Sequence, residues 1–430
     1  MNPFLRFSRR RLDRLYTPFG PRTLYNSAAY CTRCGSCMQA CPLYQLTAQE
    51  TYSPRGRNQL LRLALEQKIN PNAQDPVLLE LLQTCTLCGR CTQVCPGRVP
   101  TAEHVLEMRR ALNLQVLPKI LFSFLQWRET RPRLFKKLAH VSLFLRRIYA
   151  LKFLRFSGLT LFPGLRWLNH LDRILPKRTP NLQRLLRKEK VSTTAKNPTL
   201  IYLPSLETEF LLPHLALKIL KTAQKKASVI TWSNTATGLF SYVYGDLRQS
   251  RRTLRRLIKR HARLANGHLS LLTDSLDVYN FLKRAPQLFA GNPHWEEQAK
   301  QLADSVQFVT DIFPKKLTLP PQQNKPALLE CGTILDRQSP PVKQAEAILY
   351  TLFGKNFVEC LYTDAGAPAF GYAFARGNRA DQIGLKTIEK IQRAQIKTVF
   401  TLSGLTALEL AYLFKHVSPA VRVQHLADII

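Results

Sequence analysis

From Thr199 onward, short apolar runs alternate with longer amphipathic stretches. Leu200-Ile201-Tyr202-Leu203, Ser228-Val229-Ile230-Thr231-Trp232, Leu269-Ser270-Leu271-Leu272-Thr273 and Val306–Val309 have the length and composition of strands. The spacing between them predicts a helix over about 209–224 and another from Asp246 to about Leu264. The series then restarts. Ala327-Leu328-Leu329-Glu330-Cys331, Phe357-Val358-Glu359-Cys360-Leu361 and Thr398-Val399-Phe400-Thr401-Leu402 read as strands, with helices over about 341–353 and from Ala380 to Ala394. Such alternation builds parallel sheets covered by helices, and its recurrence predicts two tandem α/β repeats, 196–314 and 326–430. Lys315 to Lys325, rich in Pro and Gln, is the expected linker.

Upstream the pattern differs. Over 113–195, aromatic and aliphatic residues are interleaved with Arg and Lys: Leu121, Phe122, Phe124, Leu125 and Trp127, then Arg131, Arg133, Lys136 and Lys137, then Leu143 to Phe153. Only Glu129, Asp172 and Glu189 oppose these cations, and Pro132, Pro163 and Pro176 divide the segment into short helices. Apolar faces beside dense positive charge suit an anionic bilayer surface. They equally suit helices that pack on the rest of the chain and solvate a basic face. Residues 28–112 read as a small helical domain. Ser53-Pro54-Arg55-Gly56-Arg57 is expected to turn into a helix carrying Leu60 to Leu65. Thr101 is expected to cap a helix running from Ala102 to Leu112. Residues 1–27 read as a basic arm with a short helix. The fold class is thus α+β and multidomain: arm, helical cysteine domain, basic helical linker, two parallel-sheet repeats.

The chemistry sits in the second of these. Eight of ten cysteines form two copies of one run. Cys31, Cys34, Cys37 and Cys41-Pro42 are the first, and Cys85, Cys88, Cys91 and Cys95-Pro96 the second. This is the ligand run of a cubane [4Fe–4S] cluster, in which the fourth cysteine serves the other cluster. The expected sets are Cys31, Cys34, Cys37 with Cys95, and Cys85, Cys88, Cys91 with Cys41. Zinc would use four ligands in wider-spaced pairs. Disulfides fit short secreted chains, and no secretory pattern is present. Ser8-Arg9-Arg10 resembles a twin-arginine signal, but no apolar segment follows before Cys31, so export is not expected. No apolar stretch is long enough to span a bilayer.

Sixty-three Lys and Arg against 28 Asp and Glu give a formal charge of +35, which points to anionic partners. No G-x-G-x-x-G or Walker loop occurs, so no flavin or nicotinamide is expected on this chain. Tyr30, Met38, Tyr44, Leu87 and Val94 flank the cysteine runs and would exclude water. Arg55 and Arg57 would donate hydrogen bonds near a cluster, or else solvate a turn. His104, close after the second run, is expected to pack between helices rather than tune a cluster.

Two cysteine runs, Pro54-Arg55-Gly56-Arg57 between them and a duplicated α/β half resemble the iron–sulfur subunits of glycolate oxidase. Lactate and anaerobic glycerol-3-phosphate dehydrogenases and heterodisulfide reductases share the plan. The resemblance implies a subunit that takes electrons from a FAD-containing dehydrogenase toward membrane quinone. It also implies a cytoplasmic place on the inner membrane face. Such subunits usually carry Cys-Cys-Gly in each repeat. Here Ala236-Thr237-Gly238 and Asp364-Ala365-Gly366 stand at those places, and Leu405 replaces a further cysteine. Cys331 and Cys360 are left isolated and are expected to be buried small apolar residues. A catalytic heterodisulfide-type role is therefore disfavoured. A cluster-bearing nucleic-acid binder would fit the charge, but no nucleic-acid motif appears.

Overall fold

The computed structural model describes residues 12, 14–17, 20–71, 74–114, 119–147, 180–195, 197–264, 269–313, 325–331, 339–358, 377–417 and 420–429. The arm over 1–11, Cys360, Asp364-Ala365-Gly366, most of the 315–325 linker and Pro163 and Pro176 lie outside them. Among the described residues the architecture is mixed, with two four-stranded parallel sheets and one small antiparallel hairpin.

Where an arm was expected, strands β1 (Arg14–Thr17) and β2 (Gly20–Thr23) pair antiparallel, Arg14 opposite Thr23. The short helix expected there is Leu24–Ala29, capped by the Thr23 hydroxyl. Helices Pro42–Thr47, Pro54–Leu65, Pro76–Gln83 and Thr101–Ala111 follow. Three of these start on proline, whose fixed φ and missing N–H suit the first helical position.

Two local expectations are corrected. Residues 53–57 are not a turn leading into a helix. They are its cap and first turn, with Ser53 Oγ accepting from Gly56 N at 3.0 Å. Gly56 is required there, because a Cβ would stand 2.5 Å from the Glu50 carbonyl oxygen. Thr101 is not a cap. Pro100 holds that position, and the Thr101 hydroxyl instead accepts from Asn58 Nδ2 at 2.8 Å.

The first sheet runs β4-β3-β5-β6: Val229–Thr231, Leu200–Leu203, Ser270–Thr273 and Val306–Phe308. The second runs β8-β7-β9-β10: Phe357–Val358, Ala327–Glu330, Thr398–Thr401 and Arg422–His425. Both therefore share one strand order, second-first-third-fourth. Strands Leu200–Leu203, Ala327–Glu330 and Thr398–Thr401 are buried throughout, as parallel strands covered on both faces must be. Strand β10 and helix Gly404–Val417 were not foreseen. The helix expected over 209–224 is two helices, Leu206–Phe210 and Pro213–Gln224, because Pro213 cannot continue a helix begun earlier.

In the basic segment, helices Lys119–Thr130 and Pro132–Arg147 turn apolar side chains onto the first α/β unit. Phe122 lies 5.5 Å from Phe240, and Phe135 5.6 Å from Phe210. Glu129 is buried there and accepts from the Ser241 amide and hydroxyl. Burial lifts its carboxyl to about 7, against the Ser241 hydrogen bonds and nearby Arg128. A raised pKa favours the protonated folded form. Its stabilisation is complete below the unfolded value near 4.5 and is lost as pH rises through 7. We expect Glu129→Gln to gain about 1–3 kcal/mol over the wild type at pH 8.5 and far less at pH 5.5 in urea melts. An equal gain at both pH values would refute this.

Candidate iron–sulfur site

The two cysteine loops share the sequence Cys-Thr-x-Cys-Gly and one backbone shape. Arg33 and Gly35 in the first loop have φ of 61° and 89°, and Leu87 and Gly89 in the second 56° and 72°. This repeated pair of left-handed residues tightens each loop at the same places. The signal lay in the sequence, one residue beyond the cysteine spacing.

Cys41 is carried away from its own loop as the N-cap of helix Pro42–Thr47. It lines one cavity with Cys85, Cys88 and Cys91, about 370 Å³ including its open mouth. Pro42, Leu43, Pro54 and Ala102 supply apolar wall, and Arg57 joins the lining. Cys37, in turn, interacts electrostatically with Cys31 and Cys95. Cys41 thus lies beside the second run's group, while Cys37 feels both Cys95 and Cys41. Among the described residues, no three His, Cys, Asp or Glu side chains converge where a single ion could sit.

Burial governs the thiols. It pushes Cys37 up to about 11, reinforced by Cys31 and Cys95. It pushes Cys41 up against the opposing charge of Arg57, and Cys91 up further, with Cys88, Cys85 and Cys41 adding to it. Exposed Cys34 moves down instead, through hydrogen bonding to Ser36, whose Oγ is 3.3 Å from its Sγ. Four thiols this close, two of them buried and two half-buried, cannot all ionise without positive charge among them.

Three arginines hold the backbone around the cysteine loops. Arg57 is 2% exposed and is not in a solvated turn. Its Nε donates to Leu81 O at 3.1 Å and its Nη1 to Tyr52 O, while Nη2 has no hydrogen-bond partner. Arg55 is half-buried, pairing Nε with Glu50 at 2.7 Å and Nη1 with Arg33 O at 3.2 Å. Arg109 was missed altogether. Its guanidinium donates to Leu82 O at 2.9 and 2.7 Å and to Cys85 O at 2.7 Å. Arg57 and Arg109 together satisfy carbonyls at the end of helix Pro76–Gln83, fixing the approach to Cys85. His104 is fully buried between Ser27 (2.7 Å) and Asn58 (2.8 Å), and burial lowers it to about 3.

Residues 27–99 match the 4Fe-4S dicluster domain family. This segment is similar to 4Fe-4S dicluster domains. The donor set fits it: thiols, an apolar wall and one buried N–H without a partner. Over 84 residues the chain is 36% identical to a probable glycolate oxidase iron-sulfur subunit of Bacillus subtilis, covering 19% of this chain and 18% of that one. Over 122 residues it is 33% identical to the glycolate oxidase iron-sulfur subunit of Escherichia coli, covering 27% and 28%. Over 98 residues it is 32% identical to an Hdr-like menaquinol oxidoreductase iron-sulfur subunit of Archaeoglobus fulgidus, covering 19% and 18%. The matches therefore span under a third of each of these relatives. No solved structure matches the chain.

Outside the dicluster domain, Cys331 is buried at 3% exposure in the main apolar core. Gly238, in the place of a Cys-Cys-Gly glycine, has φ 96°, and a Cβ would stand 2.7 Å from Ser250 O. Leu405 packs beside Phe135 and Phe210. Among the described residues, no helix is long and apolar enough to cross a membrane.

Proposed function

We propose that this chain is the electron-transfer iron–sulfur subunit of a membrane-linked dehydrogenase. It takes electrons from a FAD-containing subunit that oxidises a 2-hydroxy acid such as glycolate or lactate, and passes them toward quinone. The observation that carries this reading is Cys41 beside Cys85, Cys88 and Cys91 in one cavity. Cys31, Cys34, Cys37 and Cys95 hold one [4Fe–4S] cluster, and Cys41, Cys85, Cys88 and Cys91 the other. Bound clusters supply one-electron carriers close enough to exchange electrons. The chain's own residues do the rest. Pro42, Leu43 and Ala102 exclude water from the second set, and Arg57 offers it an N–H. The remainder follows the layout 28–112, 113–195, 196–314 and 326–430, with the sheets as a docking scaffold and the basic segment on anionic lipid at the inner membrane face.

Anaerobically purified protein is expected to hold about eight iron and eight sulfide per chain and to give interacting EPR signals on reduction. It is expected to co-sediment with vesicles containing phosphatidylglycerol and not with pure phosphatidylcholine, the binding falling steeply with salt. Protein without iron or sulfide would end the electron-transfer reading. Equal sedimentation with both vesicles would end the membrane reading.

A further inference from the structure

The two loops are alike in sequence and backbone but not in exposure. In Cys85-Thr86-Leu87-Cys88-Gly89-Arg90, every residue after Cys85 is buried, and Leu87 belongs to the main core. In Cys31-Thr32-Arg33-Cys34-Gly35-Ser36, residues Thr32, Arg33, Cys34 and Ser36 are exposed. The second set is also covered from outside the domain. Ile383 packs with Cys41 and Leu43, and Lys386 and Lys390 from the same helix, Gly377–Arg393, donate to Gln45. Among the described residues, the first loop, with Cys34 exposed, is the more open of the two.

The surface around it has a definite character. Tyr30 is 51% exposed and Val94 37%. The Tyr30 carbonyl oxygen lies 3.7 Å from where a Gly97 Cβ would be, and Cys95 Sγ 3.9 Å from the same point, so this apolar rim borders the Cys95 end. The Arg22 guanidinium lies 3.5 Å over the Tyr30 ring. Arg33 is exposed beside Cys34. No Asp or Glu occurs over 14–49 or over 91–102. The nearby exposed acid Glu50 is paired with Arg55, whose Nη1 also reaches Arg33 O, so the ring of aromatic and apolar groups keeps a net cationic edge, the chemistry of a docking site for an acidic surface.

We infer that the loop Cys31–Cys37, with Tyr30, Val94, Arg22 and Arg33, is the port through which this chain exchanges electrons with a redox protein bearing an acidic docking face. The inference rests on the electron-transfer reading above. Exchange with that partner then passes through the exposed loop, and the Cys41, Cys85, Cys88, Cys91 set lies behind it.

The test uses the full chain and flavodoxin hydroquinone, a small acidic one-electron donor, followed by stopped flow. We expect Arg22→Glu/Arg33→Glu to lower the second-order rate of cluster reduction about tenfold at low ionic strength, with the difference vanishing near 0.5 M salt. Arg248→Glu/Arg252→Glu makes the same charge change at exposed positions on another helix and is expected to stay within about twofold of wild type. Reduction by dithionite and iron content should be unchanged in both. If the first variant loads less iron, Arg33→Gln alone is expected to slow flavodoxin about threefold. Equal slowing by the two double variants, or none by either with iron intact, overturns the port. Wild-type protein lacking iron and sulfide would instead overturn the function on which the port rests.

Discussion

Cys41→Ser should cost the protein the cluster of the second cysteine run, not of its own. Iron should fall from about eight to about four per chain, and the surviving EPR signal should be that of the Cys31, Cys34, Cys37 and Cys95 set. The reason is positional. Cys41 leaves its loop as a helix cap and lines the cavity of Cys85, Cys88 and Cys91. Pairs of substitutions sharpen the result. Cys41→Ser with Cys85→Ser should lose no more iron than either alone, because both damage one set. Cys41→Ser with Cys31→Ser should lose nearly all of it. Independent sites add and shared ones do not. If Cys41→Ser and Cys31→Ser proved the redundant pair, ligation would follow sequence runs and the crossed assignment would fail.

The second large effect is expected at Arg57. Its guanidinium carries two obligations, the carbonyls of Leu81 and Tyr52, and keeps one nitrogen unpaired beside the cavity. Arg57→Leu removes its donor from the half-buried Tyr52 carbonyl and leaves Leu81 O with only the Thr84 hydroxyl at 3.4 Å, at about 1–3 kcal/mol in chemical unfolding. It also removes a positive charge and an N–H from beside the Cys41 set. Reduction adds negative charge to a cluster, so losing that donor should lower the potential of this set by about 50–100 mV, leaving the other set nearly unmoved. Arg57→Lys keeps the charge and should restore part of the potential but little of the stability. Loss of stability with both potentials unchanged would make Arg57 a structural residue only.

How much of this could be read from the chain varies with the physics. Strands such as Leu200–Leu203 and Thr398–Thr401 are short, apolar and buried on both faces, so their signal is local. Strand Arg422–His425 is half polar and joins the sheet only through β9, so nothing in its own pattern marked it. Helix Gly404–Val417 buries Thr406 and Glu409 as well as Leu410 and Phe414, which blurs its amphipathic period. The cysteine spacing gave the ligand types, since iron–sulfur geometry imposes it directly. Burial of Arg57 and Arg109 was invisible, because arginine is exposed by default and only tertiary placement supplies carbonyls to satisfy it. The contrast between the loops did have a trace in the sequence: Arg33 in one stands where Leu87 stands in the other.

The carboxy-terminal half has no cysteine pair, yet the dicluster domain is not a detachable module. One apolar core includes Leu12, Leu61, Leu82 and Leu106 together with Tyr202, Leu272, Leu329 and Ile429. Polar ties run alongside it. Arg284 pairs with Glu103, and Arg110 donates to Tyr242 O at 2.7 Å while its guanidinium lies 4.3 Å over the Tyr242 ring. A gene fragment ending near residue 112 would therefore encode a domain with one wall missing. The sheets thus act as a buttress: without a cysteine pair of their own, they are the wall on which the cysteine domain leans.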